Sequence, residues 1–110
     1  MQSFDLLDGR KAKEAIFLMK KFFDDKMNWY KGNIHTHTKQ SDGAVSPERC
    51  IKIYKDKGYD FISITDHRKF YPDYREDRFL VISGSEFHVN DFEARRAYHI
   101  VGLGIENDIY

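Results

Sequence analysis

The sequence predicts an α/β fold built on parallel strands and preceded by an amphipathic helix. Three observations lead there. The chain runs strand, helix, strand, the order that builds parallel sheets. Residues 59–65 are rich in β-formers, 79–82 form a continuous apolar run of the kind found in strands buried on both faces, and 98–103 are similar to it. Each of these strands, and the one before them, ends or nearly ends in a metal-type ligand: His35 and His37, His67, Glu86, His99. In α/β sheets and barrels, ligands collect at the carboxyl ends of the strands.

With 110 residues, the chain is one small domain or a piece of a larger one. A chain of this size hides roughly two-thirds of its unfolded surface, enough for a core. Its 41% hydrophobic and 33% charged residues exclude a disordered chain and a membrane span. Eighteen basic residues balance eighteen acidic ones, so no global field draws it to nucleic acid or lipid. A phosphate-bearing substrate would need a local device. The single cysteine, Cys50, excludes an internal disulfide and a cysteine-rich zinc finger. Residues 15–19 are too short and too closely flanked by lysine for a secretion signal, and the expected location is the cytoplasm.

The first element is a helix that Asp8-Gly9 precedes and that runs to about Lys26, within an N-terminal segment 1–27. Ala12, Ile16, Met19 and Phe23 recur at helical spacing, and Ala15, Leu18 and Phe22 widen the stripe. Arg10, Lys11, Lys13, Lys20 and Lys21 form its polar face. A basic amphipathic helix can lie on a membrane; the reading preferred is a helix packed on a core with its lysines in solvent. Residues 33–37 read as a short strand and 38–45 as a polar loop. Ser46-Pro47-Glu48 opens a second helix: a capping serine, a proline where a missing N–H costs nothing, and an acid facing the dipole. Cys50, Ile51 and Tyr54 form its buried face, and Gly58 stops it. A strand over 59–65, a charged loop over 68–78, and strands at 79–82 and 98–103 complete the chain.

The chemistry starts at His35-Thr36-His37. Residues two apart on a strand point the same way, about 7 Å apart, and two neutral imidazoles there can close on one divalent ion. Ser41-Asp42-Gly43 follows, with Gly43 permitting a turn that aims Asp42 back at the pair. His67 ends the next strand. Its neighbour Asp66 is read as a partner orienting an imidazole in preference to a plain loop carboxylate. Glu86 follows Gly84-Ser85, where Gly84 allows close backbone approach, and its two oxygens can bridge two cations. His99 opens the last strand. His88 is left out of the ligand set. Arg68 and Lys39 are candidates for phosphate contact.

Read in order, these motifs resemble the PHP (polymerase and histidinol phosphatase) family of metal-dependent phosphoesterases. The resemblance runs from about Asn28 to Ile105 and rests on His35-Thr36-His37-Thr38, Ser41-Asp42-Gly43, Ile64-Thr65-Asp66-His67, Gly84-Ser85-Glu86 and His99. Trp29-Tyr30-Lys31-Gly32-Asn33 is similar to the lead-in of its stand-alone metallohydrolase branch. The resemblance implies a distorted (β/α)7 barrel, of which residues 28–110 are the N-terminal half, with two or three divalent ions of zinc, manganese or iron. It assigns His35, His37 and Glu86 to one ion, Glu86 and His99 to a second, and Asp42 and His67 to a third. Glu86 and Asp66 are expected to carry the catalysis. The implied activity is hydrolysis of phosphomonoester or phosphodiester bonds in nucleotides, nucleic-acid ends or small phosphorylated metabolites by a metal-activated hydroxide.

The family's closing Asp-x-His does not follow His99, and six ligands are present where three ions would use roughly nine. A full barrel takes about 200 residues or more. The expectations are therefore a truncated chain, a site completed by a second copy or by a missing C-terminal half, or a metal-binding or structural module without turnover. No membrane partner is expected. An amidohydrolase-type barrel also opens with His-x-His but uses a modified lysine as its bridging ligand, and no lysine ends a strand here. Nucleic-acid binding without catalysis lacks a basic footprint.

Overall fold

The computed structural model of the chain describes residues 9–22 and 26–108, without the side chains of 17–22. Helix α1 spans Gly9–Phe22. It takes in Gly9, which was expected to precede it; residues 23–25, with the expected position of Phe23, lie outside the described residues, as do the side chains of Leu18, Met19 and Phe22. Of the apolar stripe, only Ala12, Ala15 and Ile16 have described side chains. Ala12 and Ala15 are exposed, and Ile16 retains 54% of its surface.

Strand β1 is short, Gly32–Asn33, and ends before His35 instead of running to His37. Helix α2 spans Pro47–Asp56, with Ser46 in extended conformation accepting from the Arg49 N–H at 3.2 Å. Glu48 lies in the first turn and Lys55 in the last, each complementing the helix dipole. Gly58, at φ 77°, carries the chain out through the left-handed region. Replacing Ser46 by Ala is expected to cost about 1 kcal/mol, measurable as a lower urea midpoint at unchanged slope.

Strands β2 (Phe61–Ser63), β3 (Tyr74–Glu76) and β4 (Phe79–Ile82) complete a four-stranded sheet in the order β1-β2-β4-β3. The β1–β2 and β2–β4 pairs are parallel, as the α/β reading expects. Strand β3 lies within the segment read as a charged loop and pairs antiparallel with β4. Asp77, at φ 49°, turns the chain between them. Its three residues are all exposed, so no apolar alternation marks it.

The core lies between α2 and one face of this sheet. Cys50 and Ile51 meet Ile62, Ile64, Phe79 and Val81, with Val45, Tyr54, Tyr59 and Tyr71 packed around them. Burial, and then the charge of Asp66, push the Cys50 thiol up, so it stays a neutral packing group. Strand β4 is not buried on both faces: Phe79 and Val81 are buried, whereas Leu80 and Ile82 are half-buried. The face they occupy opens onto a groove that also takes in Phe61, Arg75 and Arg78.

Strands β5 (Gly84–Asp91) and β6 (Arg96–Leu103) form a separate antiparallel hairpin. This corrects the expectation of a last buried strand like the others. Four residues join β5 to β6, and a parallel crossover needs a dozen or more. Asp91 Oδ1 accepts from the Ala94 N–H at 3.0 Å, and Arg95 takes φ 51° to close the turn. Tyr98 and Ile100 consequently face solvent. The hairpin docks on the sheet through bridges from His67 to Glu86 and from Tyr71 to Gly84. A β-carbon on Gly84 would collide with Ser63 Oγ and come within 2.8 Å of Thr65 Cγ2, so the glycine lets β5 press against the end of β2.

Candidate metal centre

Beyond β1 the chain bends at Ile34 and is then held by the segment that follows β2. The Thr65 N–H donates to the Thr36 carbonyl at 2.8 Å, and the Thr36 N–H donates to Thr65 Oγ1 at 3.1 Å. His35 and His37 therefore project from the same side of a fixed segment, with ring centroids 4.9 Å apart. Thr65 Oγ1 also lies 2.8 Å from His35 Nδ1, which leaves Nε2 turned toward Glu86 at 3.9 Å.

The loop after His37 curls back on itself. The Ser41 and Gly43 N–H groups both donate to the Thr38 carbonyl, and the Lys39 N–H donates to the Val45 carbonyl. A β-carbon on Gly43 would strike the His37 carbonyl and Thr38 Cα, so glycine is required by close approach and not by a left-handed turn. The result is the one expected of the motif: Asp42 Oδ1 sits 2.6 Å from His37 Nδ1.

Asp66 holds this loop. Its fully buried carboxylate accepts from the Thr38 N–H at 2.6 Å, Thr38 Oγ1 at 2.5 Å and Ser41 Oγ at 2.6 Å. Its hydrogen bonds run to the loop that carries His37 and Asp42, not to an imidazole. Thr38, Ser41 and Thr65 are supporting residues that the sequence marks only as motif positions, without a role. Each is a hydroxyl whose partner lies 25 to 30 positions away.

Glu86 is the hub. It is the third residue of β5, inside a strand and not after one, and its side chain is only 5% exposed. Oε2 lies 2.5 Å from His37 Nε2, 3.5 Å from His67 Nδ1 and 3.9 Å from His35 Nε2, while Oε1 lies 3.0 Å from His99 Nδ1. His67 Nε2 faces Asp42 Oδ2 at 3.3 Å. His99 lies in mid-strand on β6, brought over Glu86 by the pairing of Glu86 with Val101 and of His88 with His99. Desolvation works to raise the Asp42 carboxyl, but the hydrogen bond from His37 and the charges of His37 and His67 outweigh it and hold it below the ordinary range. The structure thus gathers His35, His37, Asp42, His67, Glu86 and His99 into one place. The His88 ring lies against His99 at a tilt of 47°, centroids 4.5 Å apart, but its Nε2 is engaged with Asn90 Oδ1 at 2.7 Å.

Three groups could each hold an ion: His35–His37–Glu86, His37–Asp42–His67 and His67–Glu86–His99, with donor atoms in each lying within 4.8 Å of one another. Bonds of about 2.0–2.1 Å in a tetrahedral site space their donors roughly 3.3–3.4 Å apart, so sub-ångström to ångström adjustments would suffice. Ionised carboxylates only accept, so a proton or a cation has to lie between a carboxylate oxygen and an imidazole nitrogen held this close. A cation can take that proton's place. The donor set fits divalent metal.

The PHP domain family model matches residues 33–110, more than two-thirds of the chain. The chain belongs to the PHP family. No curated protein and no solved structure matches it significantly. The PHP match begins at Asn33, at the end of β1, and takes in every residue of the donor cluster. No helix among the described residues is long and apolar enough to cross a membrane.

Proposed function

We propose that this PHP chain is a metal-dependent phosphoesterase, and that Glu86 bridges two divalent ions of zinc, manganese or iron. The observation that carries the reading is the convergence of four imidazoles on the two oxygens of one buried carboxylate. His37 and His67 each belong to two of the three donor groups, and a neutral imidazole offers one lone pair. The two groups that share only Glu86 can fill together: His35, His37 and Oε2 on one side, His67, His99 and Oε1 on the other. Asp42 then orients His37 and His67 from behind, as a carboxylate partner does for ligating histidines.

Divalent ions held there would supply a water acidified to near neutral pH and charge to neutralise phosphate oxygens. The chain's own residues fix where this happens. Thr65 sets the ring of His35, Asp66 holds the loop bearing His37, and the docking of β5 on β2 brings Glu86 to the histidines. The exposed rings of His35 and His99 leave the centre open to a substrate on that side. This also reconciles a neutral chain with a phosphorylated substrate, because the positive charge arrives with the ions. The parallel β1-β2-β4 order with α2 between β1 and β2 supports reading the chain as part of a distorted PHP barrel.

The test is to purify the protein, load it with zinc or manganese, and measure metal by mass spectrometry alongside hydrolysis of an aryl phosphate. Two ions per chain with turnover is the expected result. Bound metal without hydrolysis of monoester or diester would replace this reading with a metal-binding module.

A further inference from the structure

Arg68 follows His67 directly and takes φ 51°, in the left-handed region that glycine and asparagine enter far more easily than arginine. The other non-glycine residues with positive φ among those described, Asp77 and Arg95, sit in hairpin turns whose geometry demands it. Arg68 is not in a hairpin. Its backbone is fixed by β5: its N–H donates to the Glu86 carbonyl at 2.9 Å, and three residues on the Tyr71 N–H donates to the Gly84 carbonyl at 3.0 Å. This docking imposes a shape that glycine would meet without strain. What arginine adds is its side chain. Such strain beside a candidate site points to a role for the group that carries it.

The exposed guanidinium reaches across to β5, where Nη2 donates to the His88 carbonyl at 3.3 Å. The His88 ring rests on His99, whose Nδ1 is 3.0 Å from Glu86 Oε1. A permanently charged, planar donor is thus tethered to the backbone of β5, two residues beyond Glu86 on the strand that carries it. Its fork matches the oxygens of a phosphoryl group.

Resting on the phosphoesterase reading, we infer that Arg68 is a specificity-determining residue that binds a terminal oxygen of a phosphomonoester. A monoester has three non-bridging oxygens and a diester two. If two are engaged at the ions, only the monoester presents a further one to Arg68.

The experiment compares wild type, R68Q and R68K, metal-loaded, on an aryl phosphate monoester and a bis-aryl phosphate diester. Binding of inorganic phosphate is measured by calorimetry as a readout independent of turnover. In R68Q the monoester KM and the phosphate Kd should each rise about tenfold, with kcat changed less, the diester kcat/KM within twofold and metal content unchanged. R68K should recover part of the loss. Monoester KM and phosphate Kd within twofold of wild type would overturn the assignment, as would an equal loss on both esters or a loss of metal. A wild-type protein that binds no phosphate and cleaves neither ester would instead remove the phosphoesterase reading, and this inference with it.

Discussion

Replacing Glu86 by Gln should strip the protein of most of its metal and its hydrolysis together. The change keeps the shape of the side chain but removes the charge and turns one oxygen into an amide nitrogen that cannot ligate. Both oxygens face imidazoles, Oε2 toward His35, His37 and His67 and Oε1 toward His99, so one ion would lose its donor and the other would keep only a neutral carbonyl oxygen in place of a charged one. Metal-based charge stabilisation amounts to several kcal/mol, which at about 1.36 kcal/mol per decade is a fall of roughly 10²–10⁴-fold in kcat/KM. Metal analysis and aryl phosphate hydrolysis on the same preparation check this, with circular dichroism showing that the fold is kept. A variant with full metal and near-normal turnover would contradict the bridging role.

The second large effect should be one of stability. Asp66 is fully buried and accepts three short hydrogen bonds from Thr38 and Ser41. Hydrogen bonds to a charged group contribute about 1.5–3 kcal/mol each and are not additive. Asp66→Ala would leave a backbone N–H and two hydroxyls without their acceptor, for an expected loss of about 3–5 kcal/mol. Against a typical total of roughly 5–15 kcal/mol, that is a large share. Asp66→Asn keeps one acceptor and should lose less. Urea unfolding of metal-free protein measures both, which separates the loop clamp from any effect of metal. A loss below about 1 kcal/mol in the alanine variant would mean that Asp66 does not hold the loop.

What the sequence made legible was local. The Ser46 cap, Pro47 in the first turn and Gly58 at the end mark α2 because capping is decided within four or five residues. The core strands at Phe61–Ser63 and Phe79–Ile82 announce themselves through β-branched and aromatic residues. His35, His37 and Asp42 are close in sequence, so their meeting follows from one strand end and one turn. What escaped depends on contacts between distant segments. β3 carries no apolar pattern, and its pairing with β4 rests on Asp77 adopting a left-handed turn. The β5–β6 hairpin hides its turn among Phe92, Glu93 and Ala94, none of them a usual hairpin residue. The reading placed Glu86 and His99 at strand ends, yet both lie inside strands. They reach the other donors because β5 docks sideways on the end of β2, a placement that only Gly84 hints at. Asp66 next to His67 suggested a partner for an imidazole; its real partners, Thr38 and Ser41, lie 28 and 25 positions upstream.

Anomalous diffraction from crystals grown with manganese or zinc, collected at the metal's absorption edge, addresses the bridged centre most directly. Two peaks flanking the Glu86 carboxylate are predicted, one against His35 and His37 and the other against His67 and His99. Crystals in which the peaks fall away from Glu86, or in which the cluster gives no peak at saturating metal, would contradict it.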